Sequence, residues 1–115
     1  MGAMPNDKRG NPREPGYAKV WIKGLEKPAY LRDMNESGIK IGIPDTIVLS
    51  PGGKLSLIII PEETIGIPSF ELDVEIRWIR TEDIYTTAGT AISGYAKPIY
   101  HASYEQLLAY YVSHA

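Results

Sequence analysis

Residues 69–80 read SFELDVEIRWIR, in which Phe70, Leu72, Val74, Ile76 and Trp78 alternate with Glu71, Asp73, Glu75, Arg77 and Ile79. Successive side chains of a strand point to opposite faces, so this period of two assigns the first set to a core and most of the second to water. A helix would scatter the same apolar residues around its circumference. The segment therefore demands a sheet with one buried face.

The rest of the chain supplies partners for it. Residues 17–24 (YAKVWIKG) place Ala18, Val20 and Ile22 on one face and Lys19, Trp21 and Lys23 on the other. Residues 28–33 form a short second strand, and in residues 38–43 (GIKIGI) Ile39, Ile41 and Ile43 point to one side. Residues 54–60 (KLSLIII) follow the turn signal SPGG, and residues 85–93 (YTTAGTAIS) make a sixth strand of β-branched and small residues. Near the end the period changes. Tyr104, Leu107, Leu108, Tyr111 and Val112 recur at helical spacing, and Ser103 with Gln106 reads as a capping box for about three turns of helix. The charged stripe Glu71, Asp73, Glu75 is expected to be a solvated strand face, and Trp21, beside Lys19 and Lys23, a candidate partner surface.

A chain of 115 residues, 43% hydrophobic, fits one domain with one core. The expected fold is all-β: a six-stranded antiparallel β-barrel with a C-terminal α-helix packed against it. Residues 1–16 are expected to be a cloning remnant (MGAM) followed by an extended, mobile arm, in which Gly10, Pro12 and Pro15 speak against a helix. Residues 17–98 would be the barrel and residues 99–115 the helix. The remnant ahead of Pro5 is compatible with a piece of a longer protein.

Several function classes lose their chemistry at this point. There are no cysteines, so thiol nucleophiles, disulfides and thiolate metal sites are closed, and a reducing compartment is consistent. His101 and His114 flank the terminal helix, where surface capping is the simple account, and no GxSxG elbow or metal-ligand spacing occurs. No catalysis, metal or cofactor is expected. A formal charge of −2 argues against a nucleic-acid binder, which would carry a basic excess and a groove with several aromatics. No apolar run reaches membrane-spanning length, and no signal-peptide segment opens the chain. A cytoplasmic protein is the expectation.

Two polar stretches remain. Arg9 and Arg13 stand four apart in the arm, on the same side of an extended chain and roughly 13 Å apart at ~3.3 Å per residue. Two guanidiniums on such a tether can close over an anion, each offering paired donors to phosphate or to a purine edge. On its own this is ordinary solvated charge. The second stretch, DMNESG over residues 33–38, joins two strands. Asp33 and Asn35 share a side of an extended chain, and Gly38 allows positive φ or a close ligand. A carboxylate complements the N1–H and N2–H donors of guanine, while an Arg complements its O6 and N7 acceptors. Alone, this turn is most simply an Asx-turn with a glycine exit.

Together the two stretches resemble the PilZ family, small β-barrel receptors for the bacterial second messenger cyclic di-GMP. That family shows RxxxR in an N-terminal arm and, about 20 residues later, [D/N]xSxxG before a strand. Arg9-Gly-Asn-Pro-Arg13 matches the first pattern. Asp33-Met-Asn35-Glu-Ser-Gly38 matches the second, with Asn35 in the place of the family's Ser. Arg77-Trp78, a strand-borne RW pair, adds to the likeness, which runs from Lys8 over nearly the whole chain. The resemblance implies a non-catalytic cyclic di-GMP receptor. Arg9 and Arg13 would grip phosphate and a guanine face, Asp33 and Asn35 would meet the other guanine edges, and Gly38 would give room. The arm would order over the nucleotide and present a new surface to a downstream protein or linked domain. The rival is a degenerate PilZ-like adaptor that binds a protein and no nucleotide. Such members often lack the Arg pair. Within the core set, Trp78 is expected to be buried rather than a stacking platform.

Overall fold

The computed structural model describes residues 18–44, 48–82 and 84–114. The arm carrying Arg9 and Arg13 lies outside the described residues. Six strands, β1 (Ala18–Ile22), β2 (Lys27–Met34), β3 (Gly38–Ile43), β4 (Lys54–Pro61), β5 (Phe70–Glu82) and β6 (Tyr85–Tyr95), precede one helix, α1 (Ile99–His114). All neighbours pair antiparallel, and the sheet closes in the order β1-β2-β3-β6-β5-β4. Closure gives each strand a partner on both sides over the body of the barrel, while β5 beyond Ile76 pairs with β6 alone among the described strands.

The core is the set of inward positions that alternation dictates. Val20, Ile22, Ala29, Leu31, Ile41, Ile43, Leu57, Ile59, Leu72, Val74 and Ala88 are all buried. Because every pair is antiparallel, one end of the barrel gathers the starts of β1, β3 and β5 with the ends of β2, β4 and β6. Helix α1 packs there, with Tyr104 edge-on to Phe70 and its ring centroid 6.4 Å from that ring. Tyr95, at the end of β6, stands at 6.2 Å on another side of Tyr104. Ala18, the first described residue, opens β1 at this same end.

The helix starts one turn earlier than the Ser103–Gln106 box implies. It begins at Ile99, straight after Pro98, whose fixed φ suits the entry to a helix, so Ser103 lies inside the helix and caps nothing at its start. Of its apolar stripe, Tyr104 and Leu107 are buried, Leu108 and Tyr111 are half-buried, and Val112 is exposed. His114 does sit at a helix end, its Nδ1 2.8 Å from the Tyr110 carbonyl oxygen, whereas His101 lies in the first turn, stacked on Tyr95.

Three register shifts interrupt the ladders among the described residues; one leaves Ser93 of β6 as an extra residue, and the other two decide which side chains of β2 and β5 reach the outer surface. On β2, Leu31 faces Ile41 and Asp33 faces Lys40, leaving Arg32 as an inserted residue. On β5, Ile76 faces Thr90 and Trp78 faces Gly89, leaving Arg77 as the insertion. An inserted residue exchanges the two faces of everything after it. The consequence on β5 corrects the sequence-based expectation: Trp78 leaves the core and is 42% exposed, while Ile79 turns inward and is half-buried.

Candidate functional site

Cross-strand pairing aligns Asp33 on β2 with Lys40 on β3, Lys40 with Gly89 on β6, and Gly89 with Trp78 on β5. These four residues form one continuous row around the outside of the barrel, spanning about 14 Å at the usual strand spacing. Without the β2 bulge, the alternation that buries Ala29 and Leu31 would turn Asp33 inward; without the β5 bulge, Trp78 would fill the core. Both bulges are thus needed to bring the carboxylate and the indole to one face.

A cleft of about 300 Å³ lies over this row, bounded by Asp33 and Asn35 on one side and by Arg77 and Trp78 on the other. Lys40 and Gly89 lie along its floor, and Thr90 also lines it. Trp78 lies against the β6 backbone because Gly89 has no side chain: a Cβ there would run into the indole Nε1 and Cε2. The Arg80 guanidinium stands over the indole, 5.9 Å from its centre, in a cation–π contact. Lys40 and Arg77 form no ion pair among the described residues, so the cleft combines two cations, one carboxylate and one aromatic face.

The turn at residues 35–38 is the Asx-turn expected of it. Asn35 Oδ1 accepts from the backbone N–H of Ser37 (2.9 Å) and of Gly38 (3.0 Å), and the Ser37 hydroxyl donates to the same oxygen at 3.1 Å. The Asn35 N–H donates to the Gly38 carbonyl, closing the turn at 3.0 Å. With Oδ1 engaged, only the Nδ2 amide of Asn35 is left to offer, so this side chain can act as a donor. Asp33 Oδ1 accepts from the Met34 N–H at 2.9 Å and from the Tyr111 hydroxyl at 2.6 Å.

Gly38 has no positive φ. It is buried, and a Cβ would strike the Thr90 carbonyl of β6, so its space is taken up by the neighbouring strand. Helix α1 fixes the turn from beneath: the Tyr104 hydroxyl donates to the carbonyls of Asn35 (2.6 Å) and Gly38 (3.0 Å). Burial, with the neighbouring Tyr95 and the Asp33 carboxylate adding to it, pushes the Tyr104 phenol well above its ordinary value.

Of the residues singled out from sequence, Asp33, Asn35 and Gly38 converge on this cleft, while Arg9 and Arg13 lie outside the described residues. Sequence reasoning missed Lys40, Arg77, Thr90 and the floor residue Gly89, and assigned Trp78 to the wrong face. One signal was present in the chain itself. A glycine inside a strand marks a bulge or a close approach, and Gly89 stands in the middle of β6.

Among known proteins, the fold is similar to that of the Bacillus subtilis inhibitor of motility, MotI/DgrA, with a TM-score of 0.68 at 21% identity. The match covers 89% of this chain and 47% of that one, so the chain spans about half the length of the structure it resembles. The six-stranded barrel with its C-terminal helix is a PilZ-like fold. No protein-family model matches the chain, and no curated protein does.

Proposed function

We propose that the chain is a non-catalytic receptor domain for cyclic di-GMP, taking the nucleotide into the cleft between Asp33 and Trp78. The observation that carries this reading is the row Asp33–Lys40–Gly89–Trp78, which two separate bulges turn to one face. A purine nucleotide needs an aromatic surface to stack on, cations for its phosphates and an edge-reading acceptor. Trp78, then Lys40 with Arg77, then Asp33 supply these three. Asp33 would accept from guanine N1–H and N2–H, and Asn35 would donate from Nδ2 to an acceptor of the base or the phosphate.

Arg9 and Arg13 complete the proposal as the RxxxR of the resemblance. Ala18, the first described residue, opens β1 at the barrel end that holds the β2–β3 turn, which supports an arm that would reach the cleft from that end. Ordering of the arm over the nucleotide would lower intrinsic affinity and make the arm a switch read by a downstream protein or linked domain. No metal, cofactor or nucleic acid enters this scheme. Among the described residues no helix is long and apolar enough to cross a membrane.

One observation favours the adaptor reading. Outward on β2, β1 and β4, Pro28, Trp21 and Ile58 form one row and Tyr30 and Ile60 flank Lys19 in the next, an apolar surface on three adjacent strands. The two readings separate by fluorescence. With Trp21→Phe leaving Trp78 as the single indole, cyclic di-GMP should quench its emission saturably; emission unchanged at high nucleotide contradicts the receptor reading.

A further inference from the structure

The carboxylate that the receptor reading assigns to guanine is already held by the C-terminal helix. Tyr104 and Tyr111 are seven residues apart, two turns, and so project from one face of α1. Both phenols donate into the same turn region, Tyr104 to backbone carbonyls in a buried setting and Tyr111 to the Asp33 side chain in an exposed one. Up to Leu107 the helix is anchored by buried side chains. Beyond it no residue of α1 is buried. The distal half therefore has no buried anchor, and the Tyr111–Asp33 bond is one of the contacts that hold it.

We infer that Tyr111 competes with the nucleotide for Asp33, so that binding in the cleft releases the distal part of α1. This rests on the receptor reading. Pairing of a carboxylate with N1–H and N2–H of guanine uses both oxygens side by side. Asp33 Oδ1 already carries the Met34 amide and the Tyr111 hydroxyl at 2.9 and 2.6 Å, so a base pairing with both oxygens needs acceptor capacity that the phenol holds. The Met34 amide is fixed by the chain, and the phenol is the partner that can leave. Its departure frees the half-buried Leu108 and Tyr111 beside the already exposed Val112. Occupancy of the cleft is thereby coupled to exposure of a helix end, and by linkage a partner that grips the freed helix tightens nucleotide binding.

Calorimetric titration of the wild type, Tyr111→Phe and the exposed-site control Val112→Ala with cyclic di-GMP tests this. Tyr111→Phe should bind about three- to tenfold tighter, the range one exposed hydrogen bond represents, with the control unchanged. Hydrogen exchange of wild-type amides 108–114 should speed up when nucleotide is added, and Tyr111→Phe should show that faster exchange without it. Equal or weaker binding by Tyr111→Phe, or slower exchange on adding nucleotide, overturns the competition while leaving the receptor reading intact. Silence of wild type and variant alike overturns the receptor reading, and the competition with it.

Discussion

Gly89 is the reason Trp78 can lie against the outside of the barrel: the indole occupies the space that any Cβ at that position would take. The two residues face each other across β5 and β6 just after the bulge at Arg77. Gly89→Ala should therefore lift the ring from the strand. In a Trp21→Phe background, Trp78 emission should shift to longer wavelength and cyclic di-GMP affinity should fall at least about tenfold. The fold should lose only about 1–3 kcal/mol, the usual cost of overpacking. Unchanged emission would show that the indole does not depend on that gap.

Trp78→Ala separates stacking from packing. The side chain is 42% exposed, so its removal should lower stability by less than about 1 kcal/mol in urea unfolding. Binding should suffer far more, because base–aromatic stacking contributes about 1–3 kcal/mol per base. A large loss of stability would instead return Trp78 to a core role.

Gly38→Ala should be the most damaging single methyl in the β2–β3 region. Its Cβ meets the Thr90 carbonyl, a backbone atom that cannot swing aside, and Gly38 pairs with Ala91 in the same ladder. A loss above about 2 kcal/mol is expected in thermal or denaturant unfolding.

Tyr104 ties the helix to the turn, and its neutral form is what the fold holds. Its folded-state pKa lies above the ordinary 10.0, so above that pH the unfolded chain gives up its proton first and the native state binds more protons. The contribution is whole below about pH 10 and declines as pH climbs toward the folded-state pKa. Urea midpoints measured from pH 8 to pH 11 should fall more steeply for the wild type than for Tyr104→Phe. At pH 7 that variant should be less stable by about 1–3 kcal/mol, since the Asn35 carbonyl loses the phenol donor and the Gly38 carbonyl keeps only the Asn35 N–H. Parallel pH profiles would contradict this account of the phenol.

Alternation made the barrel legible, because a period of two over residues such as Phe70, Leu72 and Val74 admits one burial pattern. It failed where a bulge inserts one residue. Nothing in the local pattern of Ile76-Arg77-Trp78 says that Arg77 is extra, because the decision depends on the partner strand, where Gly89 accommodates the re-aimed ring. The same limit applied at Arg32, yet there Asp33 was picked out through its turn chemistry, which is local. The capping box did not mark the helix start, because Ser103 and Gln106 satisfy a capping pattern that Pro98, five residues earlier, pre-empts. Contacts between distant segments, such as Tyr111 with Asp33 and Tyr104 with the turn, leave no local trace in the sequence.

The central claim is that the cleft and the arm bind cyclic di-GMP, and calorimetry tests it most directly. The wild type should be titrated beside Arg13→Ala and Asp33→Ala, with GTP as the control ligand. The account predicts saturable binding by the wild type, loss of at least about tenfold in each variant, and no heat with GTP. No binding by the wild type at high cyclic di-GMP, or equal binding by all three proteins, would contradict it.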